Sequence, residues 1–443
     1  MPLPGPIHPV ASTSTTSSEV RLELTAEQQA MLRGDAGEAQ AMCMRIVTGL
    51  ARLRGAVRLI SIESAHLDGC LYHGQAGLDF VERLVEGGAQ VTVPTTLNVS
   101  SLDLLHPDLV RSPADETTQA RRLMDGYRRL GARPTWTCAP YQVGHRPAAS
   151  SHVAWAESNA IAFCNSVLGA RTDRYGDFLD VSAAITGFVP EAGLHLTENR
   201  RATLVIDCSQ LSGQLRAMDS LYPVLGYLAG EMATTAVPVF TGLEDPGPSE
   251  DALKALGATA ASSGGIALFH VAGVTPEAPT LDAALQGVDP TTVRTIVLDA
   301  DTVRTARDKL TTATGVTLDA VSLGTPHFSL AEFAELADLL GNGASFHSAV
   351  DVWVSTSRAI LVEAEAAGYA RIITDAGSRI VVDTCTYVTP ILDPGARIVM
   401  TNSGKWAHYA PGNIGVEVVF GSLTECVRSA QIGRVKRDDD AWR

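Results

Sequence analysis

Apolar positions recur along the chain in two alternating rhythms. Across residues 22–53 they follow helical spacing. Thr25 is placed to cap the first helix with Gln28 three residues on, Gly34 and Gly37 interrupt, and a second helix is predicted from Glu38 to Leu53. Val57–Glu63 alternates apolar and polar side chains, which predicts a strand running into Ser64-Ala65-His66. A helix over Gly77–Gly87 follows, then a strand over Val91–Pro94 leading into Thr95-Thr96-Leu97-Asn98, then a helix over Asp115–Gly131. Strand, loop and helix repeated in this way predict layered α/β domains with largely parallel sheets. Ligands of such sheets sit at the carboxyl ends of the strands, so Ser64, His66, Thr95, Thr96 and Asn98 become candidate site residues.

Residues 135–172 break the apolar texture. This stretch holds Cys138, Tyr141, His145, His152, Asn165, Ser166, Arg171 and Thr172. Pro140 makes the backbone after Cys138 extended or turning, so the thiol is free to point into a cleft. A helix start is expected between Ser151 and Ser158, and a polar loop over residues 165–172. Polar groups crowded between apolar runs need partners.

Further along, strands are predicted at Ala202–Cys208, Val237–Phe240 and Ile266–His270, with helices at Gln214–Met232 and Glu250–Leu256. From Thr291 onward come strands at Val293–Asp299, Ala320–Leu323, Val350–Ser355, Ile380–Asp383, Ile398–Met400 and Gly415–Phe420. Helices are expected at Leu330–Leu340 (capped by Ser329), Arg358–Ala367 and Leu423–Ile432. The expected organisation is a Pro/Ser/Thr-rich disordered tail over 1–21 and three α/β domains over 22–204, 205–290 and 291–443.

Composition narrows the function classes. A net charge of −15 argues against nucleic-acid binding, which needs a basic footprint. No stretch of about 18 uninterrupted apolar residues is present, so no membrane span is expected. The seven cysteines are odd in number and lack CxxC spacing, which points to a reducing, cytoplasmic compartment. Lysine occurs only at Lys254, Lys309, Lys405 and Lys436, and Lys405 sits in a Gly/Asn/Ser loop.

Three loop cysteines from distant segments, Cys70, Cys138 and Cys385, are candidates to converge on one iron–sulfur cluster with an iron left open to substrate. Arg171 and Lys405 are candidates to clamp a substrate carboxylate, Arg171 bidentately and Lys405 as a point charge. His66, His145 and His152 are acid/base candidates.

Taken together in order, several segments resemble the large, catalytic part of the aconitase X family. They are Ser64-Ala65-His66, Val93–Asn98, Thr137–Tyr141, Asn165–Thr172, Gly193–Leu196, Asp383-Thr384-Cys385, Asn402–Lys405 and His408–Gly412. The resemblance implies three aconitase-like α/β domains around a central cleft with an iron–sulfur cluster. It also implies a fourth, swivelling domain, expected here on a separate small subunit. Many archaeal members, similar to mevalonate 5-phosphate dehydratases, carry Cys where this chain has Thr325 and lack one at Cys70. Hydroxyproline-type members look like this chain at both positions. A cluster ligand relocated from the Thr325 loop to Cys70 is therefore expected, with a 2Fe-2S cluster favoured and 3Fe-4S or 4Fe-4S as alternatives.

The activity so implied is dehydration of cis-3-hydroxy-L-proline, a small hydroxy acid, to Δ1-pyrroline-2-carboxylate. Ser64, His66 and Lys405 are the catalytic candidates. Thr95, Thr96, Asn98, Tyr141, Asn165, Ser166, Arg171 and Thr172 are the substrate-binding candidates, and Cys70, Cys138 and Cys385 the metal ligands. The alternatives are mevalonate 5-phosphate dehydration and, in another class, a non-catalytic iron-sensing or RNA-binding role.

Overall fold

The computed structural model describes residues 21–442 except Thr234, Thr235, Pro246 and Asn342, so the expected N-terminal tail lies outside the described residues save for Arg21. Local signals place the first helices where the sequence does. Thr25 and Gln28 form a reciprocal capping box on helix Ala26–Arg33, left-handed Gly34 ends that helix, and the second spans Glu38–Leu53.

The first α/β unit carries strands β1 (Leu59–Ser61), β2 (Ala65–Leu67), β3 (Thr95–Leu97), β4 (Ala154–Trp155) and β5 (Phe188–Pro190). Strands β3, β2 and β4 form a parallel sheet in that order, while β1 pairs antiparallel with β5. The strand expected at Val91–Pro94 is displaced to Thr95–Leu97. Val91 N–H goes to Leu130 O and Thr92 N–H to Ala184 O, and Pro94 has no N–H to give, so ladder pairing with β2 starts at Thr95. Thr95, Thr96 and His66 therefore lie within strands rather than after them, and only Asn98 follows one directly.

The second unit is a four-stranded parallel sheet ordered β8-β7-β6-β9, with β6 Leu204–Asp207, β7 Pro238–Thr241, β8 His270–Val271 and β9 Thr295–Val297. Because β9 completes this sheet, the expected division at residue 290 falls inside it. The helix expected over Gln214–Met232 is two, Gly213–Arg216 and Leu221–Ala233. The latter packs closely on helix Glu250–Gly264: a Cβ on Gly226 would lie 2.2 Å from Leu256 O.

The third unit is a five-stranded parallel sheet, order β12-β11-β10-β13-β14, with β10 Ala320–Phe328, β11 Asp351–Thr356, β12 Ser378–Val382, β13 Ile398–Thr401 and β14 Glu417–Phe420. Strand β10 runs through Gly324–His327, where a loop was expected, with its register against β11 shifting between Leu323 and Phe328. Gly324 makes that possible: its φ is +83°, and a Cβ there would meet Ser355 O at 2.1 Å. The second and third sheets share one core, in which Leu204, Ile206 and Phe240 join Trp353, Val399 and Trp406. A small apolar cluster of Val99, Cys138 and Cys385 bridges the first and third.

Candidate active site

The carboxyl ends of strands from the first and third sheets open on one cleft of about 640 Å³. Asp68, Asn98 and Glu157 enter it just past β2, β3 and β4. Thr325 enters from β10, Cys385 from the turn after β12, and Lys405 from the first turn of helix Gly404–Ile414 after β13. Cys138, Arg174, Tyr175 and Tyr387 complete the parts of the wall that matter here.

Two thiols meet at its floor. Cys138 and Cys385 are buried, hydrogen-bonded to each other, and close to His327; one donor atom from each of the three lies within 4.8 Å of the others. The His327 backbone N–H points at Cys138 Sγ from 3.3 Å. Burial opposes ionisation of Cys138, but the bond to Cys385, Lys405 and this N–H outweigh it, so its thiol is held below the ordinary range. Cys385 is pushed up, first by its bond to Cys138 and then by burial. The His327 ring nitrogens are both engaged within the fold. Nδ1 lies 3.0 Å from Thr137 Oγ1 and Nε2 3.1 Å from Thr384 O, and burial lowers the pKa of the ring to about 4.

Each thiol sits on a braced turn. Asn159 donates to Cys138 O at 2.9 Å and meets Tyr141 OH, whose ring stacks on Phe163 at 3.6 Å. Before Cys385, Asp383 adopts φ +65° and is fully buried, held by Nε (2.8 Å) and Nη2 (2.5 Å) of Arg358, while its carbonyl accepts Ser100 N–H at 2.7 Å.

Above the thiols, Lys405 forms a buried ion pair with Glu157 and reaches Ser158 Oγ at 3.3 Å. Burial alone would lower the Lys405 pKa, but Glu157, Tyr387 and Cys138 raise it well above its usual value, so the ammonium persists. Asp68 rises to about 7 through burial and the neighbouring Glu157, Asp177 and Asp180 carboxylates, with Lys405 opposing.

Of the expected site residues, the cleft gathers Asn98, Cys138, Cys385 and Lys405. The rest stand elsewhere. Cys70 is buried in the first core, its Sγ 3.6 Å from Leu67 O, and burial with Asp180 and Asp68 pushes its thiol up. The next residue, Leu71, packs on the Cys138–Cys385 cluster. Ser64 and His66 are buried and do not line the cleft; His66 Nδ1 lies 2.8 Å from Thr96 Oγ1 and its ring packs on Trp155. Thr95 bonds to Val93 O at 2.8 Å.

Asn165 and Ser166 join the first unit to the second, and Thr172 bonds within the first, rather than lining the cleft. Asn165 exchanges hydrogen bonds with the Thr172 backbone at 3.0 Å and reaches Ala267 O, and Ser166 accepts Phe269 N–H at 2.9 Å. Arg171 does not join Lys405 in a clamp; its Nη1 donates to His195 O at 2.9 Å. His145 touches Thr96, and His152 touches His195. Asp68, Glu157, Arg174 and His327 were not singled out from sequence. Asp68 directly follows a short strand and Glu157 comes one residue after another, and that position was their only signal.

Family models now have a site to explain. The Aconitase X first, second and third domain models match residues 21–198, 202–308 and 318–432. The chain belongs to the aconitase X family. This aconitase X chain is 44% identical over 421 residues to a cis-3-hydroxy-L-proline dehydratase of Pseudomonas aeruginosa, covering 95% of the chain and 72% of that relative. It is 40% identical over 413 residues to a phosphomevalonate dehydratase large subunit of Methanothermobacter thermautotrophicus, covering 93% and 98% respectively. The crystal structure of Thermococcus kodakaraensis aconitase X in its holo form superposes with a TM-score of 0.82 at 33% identity, covering 92% of this chain and all of that one. The expected architecture of α/β units around a cleft holds. No helix among the described residues is long and apolar enough to cross a membrane.

Proposed function

We propose that this aconitase X chain is a hydro-lyase that dehydrates cis-3-hydroxy-L-proline to Δ1-pyrroline-2-carboxylate. The observation that carries the reading is the facing of Cys138 and Cys385 in the cleft that also presents Lys405. The 44% identity to the Pseudomonas dehydratase supports the choice of substrate.

The donor set fits an iron–sulfur group: two buried thiols, one held toward the thiolate by a backbone N–H, both on braced turns. Cys138 and Cys385 would hold it. Cys70 is the proposed third ligand, since its neighbour Leu71 already packs on the pair; 2Fe-2S is the favoured form. When bound, such a group supplies Lewis acidity toward the leaving hydroxyl.

The chain's own groups bind and polarise the substrate. The Lys405 ammonium neutralises the substrate carboxylate, which acidifies the C2 proton. Glu157 fixes the position of that ammonium, and Asn98 contacts the ring. The C2 proton and the C3 hydroxide leave as water, and the ring enamine tautomerises to the imine. Arg171, Asn165, Ser166 and Thr172 act through the shape of the first unit, not by touching substrate. A small swivel-domain subunit is the proposed partner, supported by the large-subunit relatives that this chain matches over nearly their full length. The base that removes the C2 proton is proposed to come from it.

The deciding experiment assays cis-3-hydroxy-L-proline with the iron- and sulfide-reconstituted chain, alone and with the co-expressed small subunit. Imine formation only in the paired sample is expected. An intact cluster with no turnover of hydroxyproline, but turnover of mevalonate 5-phosphate, would move the assignment to the activity named for the archaeal relatives.

A further inference from the structure

Asp68 and Asn98 make a second feature of the cleft wall. They follow β2 and β3 at matched positions, because Leu67 pairs with Leu97 in register and Asn98 N–H donates to Leu67 O at 2.9 Å. The Asn98 side-chain amide donates to Asp68 Oδ1. Asp68 is fixed from behind, its N–H donating to Asp180 Oδ2 at 2.7 Å. This arrangement leaves two acceptors open. Asn98 is 2% exposed, and its Oδ1 has no partner among the described residues. The second Asp68 oxygen likewise receives no hydrogen bond from a described residue. Glu157 differs, since its carboxylate is taken by Lys405, Ser158 and the Ala160 N–H.

An unsatisfied buried acceptor is costly, and a carboxylate beside it makes the pair a seat for a positively charged donor. Two open oxygens are too few for a hard metal ion, which takes about six or more. They match a secondary ammonium, which presents two N–H groups. Phosphate or a second carboxylate would be repelled there. Lys405 and Arg174 line the same cleft with the opposite sign.

We propose that Asp68 and Asn98 seat the ring ammonium of the substrate, one N–H on each oxygen, and that this pair selects a zwitterionic cyclic amino acid over purely anionic hydroxy acids. The proposal rests on the hydroxyproline reading above and names its specificity determinant.

The test is calorimetric titration of the cluster-loaded protein, co-expressed with its small subunit, using L-proline and tetrahydrofuran-2-carboxylate, which has an ether oxygen in place of the ring NH2+. L-Proline is expected to bind at least about tenfold more tightly, a difference of about 1.4 kcal/mol. Asp68→Asn should bring the ratio close to one, and Asp68→Glu should restore part of it. Equal affinities in the unaltered protein, no L-proline binding, or an unchanged ratio in a folded Asp68→Asn protein would each overturn the seat. If Asp68→Asn does not fold, the unaltered protein alone decides. Turnover of cis-3-hydroxy-L-proline without ring-nitrogen selectivity would sink the seat and leave the reaction standing. Selectivity for L-proline without turnover would do the reverse.

Discussion

The backbone N–H of His327, on the third sheet, lies 3.3 Å from the sulfur of Cys138, on a turn of the first unit. This contact ties the two halves of the cleft at the atom best placed to ligate iron. An N–H donor favours the thiolate over the thiol, and the same interaction tunes thiolates bound to iron. Cys385→Ser and Cys138→Ser should each lose the brown colour, the bound iron and the activity together. A colourless Cys385→Ser protein with full activity would end the cluster reading. Cys70→Ser should lower retained iron and sulfide per chain, and unchanged iron content would remove Cys70 from the ligand set.

Lys405 and Glu157 are both almost fully buried. Removing one partner of such a pair strands the other charge, at a cost of about 3–5 kcal/mol. Glu157→Gln and Lys405→Met should each show a loss of that order in urea unfolding. The double variant should recover much of the stability yet remain inactive, because on the proposed reading the substrate carboxylate has lost its counter-charge. Stability losses that simply add in the double variant would show that the two groups are not coupled.

Arg171 was a clamp candidate by charge, but its Nη1 donates to the His195 carbonyl and the residue does not line the cleft. Arg171→Gln should leave KM for the hydroxy acid within about twofold, since no bond to substrate is lost. It should lower stability by about 1 kcal/mol, the usual worth of one such hydrogen bond. A KM increase of about a hundredfold at unchanged stability would return Arg171 to the site.

What could be read from the chain was what the chain fixes locally. The Thr25–Gln28 capping box, the Ser329 cap and helix Leu423–Ile432 depend on residues three or four apart, and they stand where expected. The Val91–Pro94 strand failed because its N–H groups pair with Leu130 and Ala184, far along the chain. The site divides in the same way. Cys138, Cys385 and Lys405 stood out as rare residue types in polar loops, whereas Asp68 and Glu157 are ordinary acids until the sheet sets them beside Asn98 and Lys405. Asn165 and Arg171 have partners within the fold: Asn165 holds the joint with the second unit and Arg171 the turn at His195.

Acid should weaken the fold through its buried imidazoles. Thr96 Oγ1 lies 2.8 Å from Nδ1 of both His66 and His145, so the hydroxyl accepts from one ring and donates to the other, an arrangement that needs one neutral acceptor nitrogen. Burial, with Arg133 adding repulsion, lowers the His145 pKa to about 4, against about 6.5 in an unfolded chain. With the folded value the lower one, the unfolded chain takes up the proton first. The contribution of His145 is therefore fully present above about pH 6.5 and is lost as pH falls toward 4, amounting to about 2 kcal/mol lost by pH 5. The raised values of Asp68 and Asp180 act with the opposite sign but are common to both proteins in a paired comparison. His145→Asn, which keeps a polar atom near Thr96, should be less stable than the unaltered chain at pH 7. It should also lose about 2 kcal/mol less between pH 7 and pH 5 in urea unfolding. Parallel pH slopes for the two proteins would mean that His145 is already charged in the fold, and that the Thr96 bridge is not what keeps it neutral.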